Sequence, residues 1–178
     1  MEPIQDMGNL LSRCNIVLIG MMGCGKTVVG QAISRKILRP FIDTDVMIEN
    51  RLNMTIPHIF EQYGESYFRK LEAEIAREIS AQTGVVIATG GGMVINPQNM
   101  ALLKATGFVI YLRCSPRQLY ERTAGDKSRP LSDKLEELLK LRKPLYEKYS
   151  DFIADSGTAS IEQLTEMIWD EYCGNKRA

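Results

Sequence analysis

The sequence predicts a three-layer α/β/α protein, in which helices cover both faces of a mostly parallel, five-stranded sheet. Three observations predict this class. Short apolar segments rich in Val and Ile alternate with amphipathic segments along the chain, which is typical of repeated βαβ units. A glycine-rich stretch joins the first apolar segment to the first helical pattern. Polar residues follow the later apolar segments, where the ends of parallel strands form binding sites.

Five apolar segments have the length and composition of buried strands. They are residues 15–19, 40–42, 84–88, 107–112 and 151–154. Helix signals lie between them, because Asn96-Pro97 and Ser115-Pro116 each pair an N-cap residue with Pro at the first helical position. Ser160 precedes a last helix whose predicted apolar face consists of Ile161, Leu164, Met167, Ile168 and Tyr172.

Length and composition indicate one domain. A chain of 178 residues is long enough to bury roughly 70% of its unfolded surface, so no second domain is needed. The 22 basic residues balance 22 acidic ones, which argues against nucleic-acid or membrane partners, because both select strongly basic surfaces. We expect a flexible leader at 1–13, a single domain at 14–173, a C-terminal tail at 174–178, and a monomer.

The cysteine pattern favours a reducing compartment. Cys14, Cys24, Cys114 and Cys173 lie far apart and form no C-x-x-C pair, so we predict neither a zinc site nor disulfides. The acidic N-terminus differs from a secretory signal, and no apolar run approaches membrane-spanning length. We therefore expect a cytoplasmic protein.

Residues 20–27, GMMGCGKT, match the phosphate-binding P-loop pattern G-x-x-x-x-G-K-[ST] directly after the first predicted strand. The glycines let backbone N–H groups turn toward phosphates, Lys26 adds a positive charge, and the Thr27 hydroxyl is suited to bind Mg²⁺. The competing interpretation is a glycine-rich turn without a ligand. A chance match in this chain has odds on the order of one in a hundred, so the sequence predicts nucleoside triphosphate binding.

Asp43-Thr44-Asp45 follows the second predicted strand. Because side chains alternate in direction along a strand, both carboxylates would point to the same side. There one could hold the water shell of Mg²⁺, and the other could accept a hydrogen bond from a substrate hydroxyl. The alternative is a strand-end turn capped by aspartates.

A helix is predicted around Arg69 and Glu72, which are i, i+3 neighbours. Its core face consists of Phe68, Leu71, Ile75 and Ile79. The pair is either an exposed ion pair or an arginine fork suited to capture a carboxylate. The glycines at 90–92 either form a plain loop or offer backbone N–H groups to a small anion.

Arg122, Arg129 and Arg142 lie near a polar segment at 123–133. Its composition suits a lid that brings an arginine onto the phosphates and excludes water. A solvated loop with ordinary basic residues is the competing interpretation.

In chain order, the motifs G-x-x-G-x-G-K-T, D-T-D, F-R-x-x-E, G-G-G, R-P-L and R-x-P-L-Y resemble those of shikimate kinases, over residues 16–155. The resemblance implies the nucleoside monophosphate kinase variant of the P-loop fold, with a five-stranded parallel sheet and a short lid. It further implies transfer of the γ-phosphoryl group of MgATP to the 3-hydroxyl of shikimate, in aromatic amino-acid synthesis. ATP and Mg²⁺ are thus the expected cofactors, and shikimate is the expected acceptor.

The resemblance also implies residue roles. Catalysis would rest on Lys26 at the transferring phosphoryl group, Asp45 at the acceptor hydroxyls as the base, and the lid arginine Arg129 at the γ-phosphate. Thr27 would bind Mg²⁺, with Asp43 behind its water shell. The nucleotide site would comprise Gly23, Cys24, Gly25, Lys26, Thr27, Val28, Arg122 and Arg129, with Arg122 stacked on adenine. The shikimate site would comprise Asp45, Arg69, Gly91, Gly92 and Arg142.

The chain departs from the family pattern in three places. Ser132 replaces the second Leu of R-P-L-L, and only twelve residues separate Arg129 from Arg142. Residues 155–160 contain no Pro where many relatives carry one, which predicts looser contact with adenine. Cys24 stands where Ser or Ala is common, and its position at a helix N-terminus predicts oxidation sensitivity that ATP relieves.

Two alternative functions remain at this stage. One is a related small-molecule kinase such as a gluconate kinase, and the other is a nucleotide-binding regulatory module with weak transfer. An adenylate-kinase-like activity is disfavoured, because Asp45 would repel an acceptor phosphate. His58, the only histidine, is expected to have a structural role.

Overall fold

The computed structural model describes residues 14–123 and 134–175. The predicted leader, lid residues 124–133 with Arg129 and Ser132, and tail residues 176–178 lie outside the described residues. The strands are β1 (Asn15–Ile19), β2 (Phe41–Asp43), β3 (Val86–Ala88), β4 (Gly107–Arg113) and β5 (Phe152–Asp155). The helices are α1 (Lys26–Ile37), α2 (Thr44–Leu52), α3 (Ile56–Ser80), α4 (Pro97–Thr106), α5 (Pro116–Thr123), α6 (Leu135–Tyr149) and α7 (Ile161–Asn175).

The described strands form one parallel sheet in the order β2-β3-β1-β4-β5. All five residues of the central strand β1 are buried, since helices cover the sheet on both faces. The strand order reverses at β1, between β3 and β4, and such a switch point opens a crevice at the carboxyl ends of the strands. The predicted sheet is confirmed, with each predicted strand observed within two residues of its expected bounds.

Helix starts follow the predicted capping signals. Asn96 Oδ1 accepts a hydrogen bond from the Gln98 N–H at 2.9 Å where α4 begins. Ser160 Oγ likewise accepts one from the Gln163 N–H at 3.2 Å at the start of α7. Among the described residues, no helix is both long enough and apolar enough to span a membrane.

The predicted apolar face of α7 is only partly correct. Leu164, Ile168 and Tyr172 are buried at i, i+4 and i+8, whereas Ile161 and Met167 are 41% and 42% exposed. These two side chains lie at the edges of a stripe that is narrower than predicted. Helix α7 also extends through Asn175, into the segment predicted as the tail.

Asp43-Thr44-Asp45 is a strand-to-helix junction, which corrects the predicted strand alternation. Asp43 ends β2 and caps α2, because its Oδ1 accepts hydrogen bonds from the Asp45 and Val46 N–H groups. Asp45 lies in the first turn of α2. The capped turn weighed as an alternative is therefore present, although both aspartates still line the same cleft.

Helix α3 is interrupted at Gly64, whose φ of 77° is outside the helical range. The kink brings Phe60 and Phe68, on either side of it, to a ring-centroid separation of 4.8 Å. Both rings line the cleft described next. The break thus shapes an apolar wall beside Arg69, which follows Phe68 in the chain.

Candidate active site

One cleft of about 680 Å³ brings the sequence motifs together at the carboxyl ends of β1, β2 and β3. Its floor is the P-loop at 22–27, and its far wall carries Arg69, Glu72 and the glycines at 90–92. Such convergence follows from the parallel sheet, because every strand delivers its following loop to the same edge.

The P-loop places the start of α1 at the cleft. Gly25 caps the helix with φ 96° and ψ 16°, in the left-handed region where a side chain would be strained. Lys26 Nζ donates hydrogen bonds to the carbonyls of Gly20 at 2.8 Å and Met21 at 2.9 Å. The lysine therefore stabilises the curved loop and carries its charge into the cleft.

Cys24 is buried, and its Sγ lies 3.7 Å from Lys26 Nζ. The oxidation sensitivity inferred from the sequence stays a prediction.

Thr27 and Asp43 form an oxygen pair at the N-terminus of α1. Thr27 Oγ1 donates to Asp43 Oδ2 at 2.8 Å, and both residues line the cleft. Within residues 14–123 and 134–175, no group of three or more His, Cys, Asp or Glu side chains could hold a metal alone. A hydroxyl with one carboxylate fits Mg²⁺, which binds few protein oxygens and completes its octahedron with water and substrate phosphates.

Arg69 pairs with a buried Glu72 and is itself only partly exposed, so the pair is not the exposed ion pair weighed as an alternative. Arg69 Nη1 donates to Glu72 Oε2 at 2.6 Å, and the Glu72 side chain is only 2% exposed. Burial raises the pKa of Glu72, although Arg69 and Arg142 oppose the shift. Burial alone would lower the pKa of Arg69, but the charges and hydrogen bonds of Glu72 and Glu65 together outweigh it and raise that pKa.

The other edge of the Arg69 guanidinium contacts Glu65. Nη2 and Nε donate to Glu65 Oε1 at 2.6 Å and 3.2 Å. Glu65 is half exposed, so water or a ligand carboxylate can replace it at little cost.

Arg142, on α6, is a second cation at this end of the cleft. It is 2% exposed, and its Nε has no hydrogen-bond partner among the described residues. Glu72 Oε1 is also buried and lacks a partner there. Buried polar atoms of this kind are costly, so their presence on a cleft wall favours a polar ligand.

The glycines at 90–92 allow the backbone to approach these charged groups. A Cβ at Gly92 would lie 2.0 Å from Arg69 Nη1, which no side chain could tolerate without displacing the arginine. The Gly90 N–H donates to the buried Thr44 Oγ1 at 2.8 Å. The loop is therefore held against α2 and close to Arg69.

The opposite end of the cleft is lined by Arg122 together with Ser156, Ala159, Ile161 and Leu164. Arg122 Nη2 donates to the Ser156 carbonyl at 3.2 Å, which orients the guanidinium. An arginine beside small and apolar groups suits a flat aromatic ring.

The predicted site residues within the described chain all line this one cleft. They are Gly23, Cys24, Gly25, Lys26, Thr27, Val28, Asp43, Asp45, Arg69, Gly91, Gly92, Arg122 and Arg142. Arg113, at the end of β4, is paired with Asp155 at 3.3 Å and lies outside the lining. His58 makes a local contact of 3.2 Å with Thr55 Oγ1, as expected of a structural residue.

Sequence reasoning did not identify Thr44, Tyr146 or Gln118, which lie outside the lining and support the residues that form it. Tyr146 donates a hydrogen bond to the Gly91 carbonyl at 2.6 Å, and Gln118 donates one to the Gly157 carbonyl at 2.7 Å. Their contacts span 39 to 55 residues of sequence, so no local pattern signals them.

The strand order, the phosphate loop and the cleft joining that loop to buried guanidinium groups define an ATP-dependent P-loop kinase of small molecules. The sequence model of the family described as shikimate kinase matches residues 22–172. The chain belongs to the shikimate kinase family.

Individual relatives agree with this assignment. Shikimate kinase of Cupriavidus pinatubonensis is 44% identical over 162 residues, covering 88% of this chain and 84% of that protein. The solved structure of shikimate kinase from Acinetobacter baumannii in complex with shikimate superposes with a TM-score of 0.90. It is 35% identical and covers 97% of this chain and 99% of its own.

A more distant likeness concerns the fold alone. A gluconokinase from Sinorhizobium meliloti superposes with a TM-score of 0.60 at 16% identity, covering 93% of this chain and 95% of that one.

Proposed function

We propose that this protein transfers the γ-phosphoryl group of ATP to the 3-hydroxyl of shikimate. The observation that carries the proposal is that Lys26 shares one cleft with Asp45 and Arg69. A phosphate-binding loop and a carboxylate-binding corner thus open into the same space. Phosphoryl transfer needs mainly positioning and charge stabilisation, and both ends of this cleft supply them.

At the donor end, P-loop N–H groups and the N-terminus of α1 bind the phosphates. Lys26 exchanges its carbonyl contacts for phosphate oxygens and stabilises the charge on the transferring group. Thr27 and Asp43 hold Mg²⁺, which supplies charge neutralisation on the phosphates.

At the acceptor end, Arg69 and Arg142 bind the shikimate carboxylate, together with the N–H of Gly91. Glu72 holds Nη1 of Arg69 and fixes the direction of the fork. Asp45, in the first turn of α2, accepts a hydrogen bond from the acceptor hydroxyl and takes its proton as transfer proceeds. Gly92 leaves the space that Arg69 occupies.

The remaining assignments are also proposals. We infer a cytoplasmic monomer, with one kinase domain at 14–173, that acts on small molecules rather than nucleic acid or membranes. The equal numbers of basic and acidic residues and the four free cysteines support this inference. Arg129 and the 123–133 segment would supply the lid, as the family resemblance implies.

A coupled assay of ADP release tests the function. With ATP and Mg²⁺, we expect release that depends on shikimate and is absent with gluconate or without an acceptor. Release with gluconate instead would assign the related-kinase alternative. Tight ATP binding without acceptor-dependent release would assign the regulatory module.

A further inference from the structure

The base end of the cleft has two sides that come from separate parts of the chain. Arg122 projects from α5, whereas Ser156 and Ala159 belong to the loop at 156–160, between β5 and α7. A planar base can bind between them only if the separation of α5 and this loop is fixed. The contacts that fix it therefore influence nucleotide affinity.

Gln118 joins the two sides through both ends of its amide. Its Nε2 donates to the Gly157 carbonyl at 2.7 Å. Its Oε1 accepts hydrogen bonds from Ser115, at 2.7 Å from Oγ and 3.2 Å from the backbone nitrogen. Ser115 immediately precedes α5, so the glutamine is held at the helix start and aimed at the loop.

Gly157 is shaped to receive this amide. A Cβ at Gly157 would lie 2.3 Å from Gln118 Oε1 and 2.9 Å from its Cδ. The backbone of Gly157 is outside the left-handed region, so an alanine would be strained only by this contact. An alanine at 157 could therefore be accommodated only if the Gln118 amide moved away.

Neighbouring hydrogen bonds also hold the 156–160 loop. We call the Gln118–Gly157 contact, which joins this loop to α5, the clamp. Ser156 is 3% exposed, and its N–H and Oγ donate to the Arg113 carbonyl at 2.7 Å and 3.0 Å. Arg122 Nη2 donates to the Ser156 carbonyl at 3.2 Å. At the next residue of the loop, the Gln118 amide on α5 holds the carbonyl of Gly157.

We propose that Gln118 is a positioning residue for the nucleotide base, which sets the distance between α5 and the 156–160 loop. Gln118 is not part of the cleft lining, so it acts through Gly157 rather than by touching the nucleotide. This inference rests on the proposed function, because it takes the lined cleft as the ATP site. It concerns affinity for the base and not for the phosphates.

The first test replaces Gln118 with Met, which keeps length and volume but removes the hydrogen bonds at both ends of the amide. Loss of one positioning hydrogen bond predicts a Kd for ATP about tenfold higher. The Kd for inorganic tripolyphosphate, which binds the P-loop without a base, is expected to stay unchanged. Arg117→Met is the matched control, because Arg117 is 88% exposed one position earlier on the same helix.

The second test is a double-mutant cycle. Gly157→Ala is expected to raise the ATP Kd in the wild-type background. It should have little effect in the Gln118→Ala background, where the Cβ has room. The proposal would be overturned if Gly157→Ala raised the ATP Kd equally in both backgrounds. It would also be overturned if Gln118→Met weakened the binding of ATP and of tripolyphosphate equally.

Binding is measured without acceptor, so this test is separate from that of the proposed function. A wild-type protein that binds ATP but shows no shikimate-dependent ADP release would refute the function and leave the clamp measurable. A variant with unchanged ATP affinity in an active enzyme would refute the clamp alone. Thermal unfolding of each variant identifies any general loss of folding.

Discussion

The Tyr146 hydroxyl donates a hydrogen bond of 2.6 Å to the Gly91 carbonyl and thereby ties α6 to the glycine loop after β3. Arg142 lies one helical turn before Tyr146. The same helix therefore carries the Arg142 cation and the hydroxyl that holds the backbone of Gly91. The Tyr146 ring stacks on Tyr111 at 5.0 Å, and its burial raises the pKa of the phenol. Tyr146 therefore stays a neutral hydrogen-bond donor at physiological pH.

Tyr146→Phe keeps the packed ring and removes only this hydrogen bond. The Gly91 carbonyl then loses its partner, which we expect to lower the unfolding free energy by about 1–2 kcal/mol. Because the loop faces Arg142, KM for shikimate should rise about fivefold while KM for ATP is unchanged. Tyr149→Phe, on the same helix, is the control. Parallel changes in both KM values would contradict a specific role for the bond.

Much of the fold follows from the sequence alone. The Val and Ile segments and the Asn96 cap predicted strands and helix starts correctly, because these signals are local and repeat along the chain. The P-loop and Asp43-Thr44-Asp45 were also correctly located at the cleft, because parallel strands deliver the residues that follow them to one edge of the sheet.

The remaining features depend on tertiary structure. The spacing of Arg69 and Glu72 was visible, but the burial of Glu72 depends on the packing of segments that are distant in sequence. The predicted alternation at Asp45 failed because a helix begins immediately after β2. The Tyr146–Gly91 and Gln118–Gly157 bonds join distant segments, and no propensity or periodicity encodes such pairs.

Lys26→Met is expected to abolish most turnover with little effect on folding. The methionine preserves the aliphatic stem but removes the charge at the transferring phosphoryl group, which predicts a fall in kcat of about 10²-fold or more. Lys36→Met is the matched control, because Lys36 lies on the same helix and pairs with Glu166 at the surface. A Lys26 variant with near-normal kcat would remove the lysine from the proposed mechanism.

Arg69→Ala should weaken the binding of shikimate far more than the binding of ATP. Loss of a charge-assisted fork corresponds to about 1.5–3 kcal/mol, which raises KM for shikimate roughly 10- to 100-fold. The KM for ATP should change little, because Arg69 lies at the other end of the cleft from Arg122. Arg51→Ala serves as the control, since Arg51 pairs with Glu74 and Glu78 on the surface. The reverse pattern of KM changes would refute the pocket assignment.

Glu72→Gln tests the raised pKa of this carboxyl. Its pKa in the folded protein lies above the ordinary value of 4.5, so the folded state retains a proton that the unfolded state releases. The unfolding free energy of the wild type should therefore fall, relative to Glu72→Gln, as pH rises from 4.5 through the folded-state pKa. Urea unfolding across this range measures the difference. Parallel stability profiles would show that burial does not raise the pKa.

Asp43 has two contacts that substitutions can separate. Its Oδ1 caps α2, and its Oδ2 accepts the Thr27 hydroxyl at 2.8 Å in the proposed Mg²⁺ site. Asparagine caps helices as well as aspartate does but lacks the charge, so Asp43→Asn should change stability by less than about 0.5 kcal/mol. Asp43→Ala loses the cap as well and should cost about 1 kcal/mol.

Activity, unlike stability, should respond in the same way to these two variants. Because both lack the carboxylate, both should need a higher Mg²⁺ concentration for half-maximal rate, by about tenfold, whatever their stability. Titrating Mg²⁺ at saturating ATP and shikimate measures this shift. An unchanged Mg²⁺ requirement in Asp43→Asn, together with lost stability in Asp43→Ala, would assign Asp43 to capping alone.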